Sequence, residues 1–208
     1  MRPLTDVRPK PLLDVAGKPL IQWHIERLAN NGLNDLVINT AWLGEQLRAV
    51  LGDGSRFGAS IQYSDEGDSA LETGGGIKKA LPLLGDEPFW LVNGDIFTDF
   101  VCRQSTLSDG MLAHLVLVPN PEHNPDGDFA FADGVISTAE SPAARYTFSG
   151  ISLLHPEFIK GEGKFPLAPL LREAISNGRV TAEVYRGAWV DVGTPERLKQ
   201  AASLAANV

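Results

Sequence analysis

Short apolar, β-branched runs alternate with stretches of helical periodicity along most of this chain, and that alternation constrains its fold more than any other feature. Leu20, Ile21, His24, Ile25 and Leu28 recur at helical spacing, so residues 19–31 are predicted helical, with Pro19 suited to a first turn and Gly32 to an exit. Residues 36–39 read as a buried strand, 42–51 as a helix ended by Gly52, and 61–63 as a short strand. A helix is predicted over 76–84, opening directly after a glycine run, and a second buried strand over 89–92. Residues 111–118 and 146–154 read as strands. Asp126-Gly127 and Asp133-Gly134 bracket Phe129, Ala130 and Phe131 and suggest a hairpin. A helix over 166–177, a strand over 188–192 and a helix from Pro195 onward complete the pattern. Strands alternating with helices predict an α/β fold with a mostly parallel central sheet.

No internal repeat, low-complexity tract or linker interrupts the chain, and its 208 residues (22.4 kDa) suit a single domain over 1–208. The opening is unusual. Met1-Arg2-Pro3-Leu4-Thr5 is loop-like, whereas a doubly wound sheet normally starts with a buried strand and a glycine-rich turn, and neither precedes Leu36.

Charge narrows the partners. The formal charge is -8, which argues against a non-specific nucleic-acid binder, since phosphate backbones are held by clustered cations. A polyanionic small substrate stays compatible if a metal ion or a few local cations offset its charge. Cys102 is the only cysteine, so intrachain disulfides and Cys-rich zinc sites are excluded. No apolar run approaches the roughly 20 residues that span a bilayer, and the first residues lack a signal-peptide stretch. A cytoplasmic protein without membrane partners is expected, as a monomer or small homo-oligomer.

Four segments have chemistry to offer. Asn93-Gly94-Asp95 follows the apolar run Phe89-Trp90-Leu91-Val92, and ligands of open α/β sheets collect beyond strand carboxyl ends. An Asp there suits Mg²⁺, although the same three residues equally make an ordinary turn. Asp191 sits between Val190 and Val192, where a carboxylate is costly unless paired, metal-bound or at an exposed edge. Thr194 before Pro195 reads as a helix cap. In Leu71-Glu72-Thr73-Gly74-Gly75-Gly76-Ile77 the glycines leave backbone amides open to a base edge or phosphate, or simply form a flexible loop. Lys10, between Pro9 and Pro11, is either a fixed ammonium for phosphate or a solvated loop lysine. Gly150, in a strand, suits close approach of a sugar or a bulge. His24, His114, His123 and His155 show no metal-ligand spacing, and Trp23, Trp42, Trp90 and Trp189 read as core.

In order along the chain, Arg2-Pro3-Leu4-Thr5, Pro9-Lys10-Pro11-Leu12, Gly17-Lys18-Pro19-Leu20-Ile21, the 71–77 segment, Asn93-Gly94-Asp95 and Asp191-Val192-Gly193-Thr194 resemble the sugar-1-phosphate nucleotidylyltransferases. Residues 71–77, 148–151 and 189–194 look most like the branch acting on N-acetylmuramic acid 1-phosphate in cell-wall recycling. The resemblance implies a Rossmann-like, GT-A type mixed sheet flanked by helices, and transfer of a nucleotidyl group from UTP to a sugar 1-phosphate with release of pyrophosphate. It implies that Asp95 and Asp191 hold Mg²⁺ and that Lys10 contacts phosphates. Glu72, Thr73, Gly74 and Gly75 would lie against the base, Asn93 would contact substrate, and Gly150 would lie near the sugar.

Two departures stand out. The family opens with an apolar strand and a Gly-x-Gly turn followed by an arginine, which cradle the triphosphate, and all of that would lie upstream of Met1. A missing first strand and weak or absent catalysis by this exact chain are therefore expected. The family's Glu-Lys-Pro signature reads Glu140-Ser141-Pro142, so no sugar-reading lysine is assigned. Rival expectations are a mannose-1-phosphate guanylyltransferase, a glucose-1-phosphate thymidylyltransferase, an inactive sugar-nucleotide-binding module and, less well supported by Lys10 and the glycines, a GT-A glycosyltransferase.

Overall fold

A computed structural model describes residues 1, 4–41, 43–67, 70–139 and 143–206. Trp42 and the Glu140-Ser141-Pro142 segment, like Arg2 and Pro3, lie outside the described residues. The chain begins with α1 (Leu4–Val7), a β1–β2 hairpin (Asp14–Val15 and Lys18–Pro19), α2 (Leu20–Asn30), β3 (Asp35–Thr40), α3 (Gly44–Leu51) and β4 (Ser60–Asp65). It continues through α4 (Glu72–Leu84), β5 (Phe89–Val92), β6 (Ile96–Thr98), β7 (Ala113–Val118), β8 (Phe129–Ala132), β9 (Val135–Ser137) and β10 (Arg145–Leu154). It ends with α5 (Ala168–Ser176), β11 (Val180–Val184), β12 (Trp189–Asp191) and α6 (Pro195–Ala205).

These elements form two compact units, one of residues 1–70, 93–104 and 187–208, the other of 71–92 and 105–186. In the first, β3 and β4 pair in parallel through the α3 crossover, and β6 pairs antiparallel with β12. Helix α2 serves both pairs. Ile21 and Ile25 join Leu12, Leu47, Leu51 and Ile61 in one buried cluster, while Leu20 joins Val15, Phe97, Val190, Val192 and Ala201 in another. Each such buried aliphatic side chain contributes about 1.5–3 kcal/mol.

In the second unit β10 is the axis. It pairs antiparallel with β5, β7 and β8, and β11 adds to β7 in parallel. Leu115, Leu117, Phe129, Leu154, Leu171, Ile175 and Val180 fill its core. The β8–β9 hairpin turns at Asp133 (φ 51°) and Gly134 (φ 79°), both left-handed as a tight two-residue turn demands.

The expected α/β architecture, a mixed sheet with flanking helices, is present. The antiparallel share is larger than strand–helix alternation alone implies. From β7 to β10 no helix intervenes among the described residues, and parallel neighbours need a crossover, so these strands fold back on one another. Four strands escaped the sequence reading, two of them the two-residue β1 and β2. β11 dilutes its apolar residues with Thr181 and Glu183, and β6 is only three residues long after a turn. Helix α4 starts at Glu72 and not at 76, so the glycines belong to its first turns.

Candidate metal and nucleotide site

The β6–β12 ribbon is where the two candidate aspartates meet. Asp191 ends β12 opposite Ile96, and the Val192 amide donates to the Asp95 carbonyl at 2.7 Å. Asp95 and Asp191 thus occupy neighbouring positions at one end of a two-stranded ribbon, each preceded or followed by apolar residues that bury its strand.

Each carboxylate has a cation. Lys10 Nζ lies 3.0 Å from Asp95 Oδ2, with side-chain exposures of 32% and 43%. Lys10 is the first residue of a 3-10 turn (Lys10–Leu12), anchored by buried Leu12. Gly94 passes close to Pro11, since a Cβ there would sit 3.3 Å from Pro11 Cγ. The turn carrying Asn93, Gly94 and Asp95 is therefore seated against the Lys10 segment. On the other strand, Arg197 Nη1 lies 2.5 Å from Asp191 Oδ2. Gly193 makes this pair feasible. A Cβ there would meet Arg197 Nη2 at 2.2 Å and Asp191 Oδ1 at 2.8 Å. Thr194 caps α6, accepting from the Arg197 amide at 3.2 Å, so its role as a helix cap is observed directly.

The ribbon's donor set suits a hard cation. Mg²⁺ is held through one or two carboxylates, and waters and substrate phosphates supply its other ligands. Two partly open carboxylates on adjacent strand ends fit that requirement, and Lys10 and Arg197 balance their charge. Among the described residues, no three His, Cys, Asp or Glu side chains gather into a denser metal-binding group.

The remaining sequence-identified residues lie in the second unit. The 72–75 segment opens α4, with Glu72 left-handed (φ 60°) and 4.0 Å from Lys164 Nζ. The glycines have an immediate packing reason. A Cβ on Gly74 would sit 2.4 Å from the Phe165 ring, and one on Gly75 would sit 2.3 Å from the Gly163 carbonyl. The Gly75 amide donates to Phe165 O at 3.1 Å, and the Phe165 amide to Leu71 O at 3.2 Å. Gly150 (φ 81°) marks a bulge in β10, where the register with β7 shifts between Phe148 and Ile151. Ser149 Oγ donates to Val116 O at 2.7 Å and accepts from the Ile151 amide at 3.1 Å, closing that bulge.

Sequence reasoning missed Arg197, Lys164 and Phe165. Lys164 and Phe165 acquire their partners only through tertiary contact, while Arg197 pairs with Asp191 six residues earlier, a spacing that no recognised motif marks. It also left His24 as a packing residue. His24 is buried, and its Nε2 lies 2.8 Å from the Ile96 carbonyl. Burial is the main reason its pKa falls to about 4. Arg27 pushes in the same direction, and the Ile96 hydrogen bond and Asp95 oppose it.

Comparison with known proteins bears on the family and the fold. Residues 1–123 match the Nucleotidyl transferase family. The N-acetylmuramate α-1-phosphate uridylyltransferase of Neisseria meningitidis is 49% identical, over 99% of this chain and 93% of that protein. A protein of the same name from Caulobacter vibrioides is 33% identical, over 94% and 88%. A crystal structure of a Bacillus anthracis protein assigned as a glucose-1-phosphate thymidylyltransferase, in complex with sucrose, superposes with a TM-score of 0.80. It covers 100% of this chain and 91% of that one, and at 21% identity it speaks for the fold alone. By its motifs, its fold and these near-full-length relatives, the chain belongs to the sugar-1-phosphate nucleotidyltransferases, a family of enzymes.

Proposed function

We propose that the chain transfers a uridylyl group from UTP to N-acetylmuramic acid 1-phosphate, giving the UDP-sugar and pyrophosphate, as a Mg²⁺-dependent cytoplasmic step of peptidoglycan recycling. The observation that carries the reaction is the β6–β12 pairing, which sets Asp95 and Asp191 at one ribbon end. The likeness to the Neisseria protein, whose name states the sugar and the uridylyl group, supports the choice of substrates.

A sugar-phosphate oxygen attacks the α-phosphorus in line, the bond to the bridging oxygen breaks, and pyrophosphate carries away the charge. The attacking oxygen is already ionised, so no side chain need remove a proton. Held by Asp95 and Asp191, Mg²⁺ would supply charge neutralisation on the phosphates. Lys10 exchanges Asp95 for a phosphate oxygen, a move its part-exposed position permits. Arg197 stays on Asp191 and fixes that carboxylate's orientation. Glu72, Thr73, Gly74 and Gly75 are assigned to the base, Asn93 to the substrate and Gly150 to the sugar.

The test is calorimetry and a pyrophosphate-release assay with UTP, GTP and dTTP, each with the matching sugar 1-phosphate. Mg²⁺-dependent UTP binding with turnover supports the reading. Preference for GTP or dTTP replaces the uridylyl assignment. Product binding without turnover replaces catalysis with a binding role.

A further inference from the structure

Strand β6 is three residues long, yet the ribbon end it shares with β12 has to hold two carboxylates in place. Its inner edge is secured by β12. The Asp95 carbonyl accepts from Val192, and carbonyls alternate along a strand, so those of Ile96 and Thr98 point to the opposite edge. There two side chains of α2 meet them. His24 Nε2 lies 2.8 Å from Ile96 O, and the Arg27 guanidinium donates to Thr98 O. Residues three apart share one helix face, and alternate carbonyls share one strand edge, so the two spacings match.

We propose that His24 and Arg27 form a two-point clamp that positions Asp95, and through the ribbon Asp191, for metal and nucleotide. This rests on the assignment of those aspartates above. The helix bearing the clamp is itself fixed, since Leu20, Ile21 and Ile25 are buried in two clusters. A carbonyl only accepts, so the imidazole proton resides on Nε2. Burial keeps the ring neutral near neutral pH, so it serves as a permanent donor without a buried charge. Arg27 is half-buried and reaches along the same face. At the far end of β6, Thr98 Oγ1 donates to Ala188 O at 2.8 Å, and the Asp99 amide donates to the same oxygen at 3.1 Å. The strand is thereby tied at both edges and at its exit, which leaves little slack at Asp95.

The variants His24→Leu, His24→Gln and Arg27→Met separate positioning from general stability. Amide exchange of Val192 is followed by NMR, with the β4 amides as an internal reference for unfolding. In His24→Leu, Val192 exchange accelerates about tenfold with β4 unchanged, the size expected for one lost buried partner. Mn²⁺ affinity in the presence of UTP, read by EPR, weakens in parallel. His24→Gln, which keeps an N–H donor, restores both. Arg27→Met shows the same direction and serves if His24→Leu does not fold. Unchanged Val192 exchange in the folded variants overturns the proposal, as does faster exchange with unaltered Mn²⁺ affinity. Failure of the wild-type protein to bind Mn²⁺ and UTP, with Val192 still dependent on His24, defeats the metal assignment alone and leaves the clamp on Asp95 standing.

Discussion

Single side chains in this protein divide into those that act and those that hold, and substitution tells them apart. Asp95→Asn removes a proposed metal donor. We expect kcat/KM to fall at least about 100-fold, as losing several kcal/mol of charge stabilisation implies. The Lys10–Asp95 pair is part-exposed, so unfolding free energy should shift by only about 0–1 kcal/mol in a urea titration. His24 behaves in the opposite way. Its folded pKa, about 4, lies below the unfolded value of 6.5, so the unfolded chain binds a proton that the native chain refuses. Stability is full above pH 6.5 and falls as pH drops toward 4, by up to roughly 3 kcal/mol. Urea midpoints across that window, compared with His24→Gln, check this, and the Gln variant should lose much of the slope. Asp95 and Asp191, to which the proposal assigns the metal, could be singled out in the sequence, Asp95 just beyond an apolar run and Asp191 between two valines, and the ordered motifs suggested their role. The holding residues could not. Nothing local marks His24 or Arg27, whose partners Ile96 and Thr98 lie far along the chain, and Arg197 reaches Asp191 only by folding back over the Gly193 turn.

At the scale of elements, helix α4 shows how far local pattern reaches. A run of three glycines reads as a loop on propensity, and it is helical here because the backbone of 163–165 lies against it. Gly75→Ala sets two effects in opposition. Helix propensity favours Ala by about 1 kcal/mol. The new methyl would meet the Gly163 carbonyl 2.3 Å away, and overpacking costs about 1–3 kcal/mol. Backbone cannot step aside as a side chain can, so we expect net destabilisation, read as a lower urea midpoint with an unchanged slope. Gly150→Ala is expected to cost about 1–2 kcal/mol because its φ of 81° is left-handed. Long periodic elements such as α2 and β10 could be read from pattern. β6 could not, since three residues carry too little periodicity, and neither could β11.

For the whole molecule, the prediction concerns ligand linkage. Among the described residues no helix is long and apolar enough to cross a membrane. UTP with Mg²⁺ at a hundredfold excess over its Kd should add about 2.7 kcal/mol to the native state. That corresponds to a rise in Tm of several degrees for a chain of this size. UTP with chelator should give a much smaller rise, and equal rises with and without metal would remove Mg²⁺ from the reading. The separation of the chain into two units was not legible, because sequence order crosses between them repeatedly while spacing and composition stay uniform.

The ribbon also dictates a schedule. Ile96 must wait for Asp191, and most of the second unit is synthesised between them. Closing so long an interval is entropically slow, whereas β3 and β4 are near neighbours. On the ribosome, the parallel pair can assemble early, but the carboxylate pair is unfinished until the last strand has cleared the exit tunnel. A nascent chain halted before residue 189 would keep most of its packed interior but only one of the two carboxylates proposed to hold metal, so premature termination should yield a protein that folds in part without the proposed chemistry.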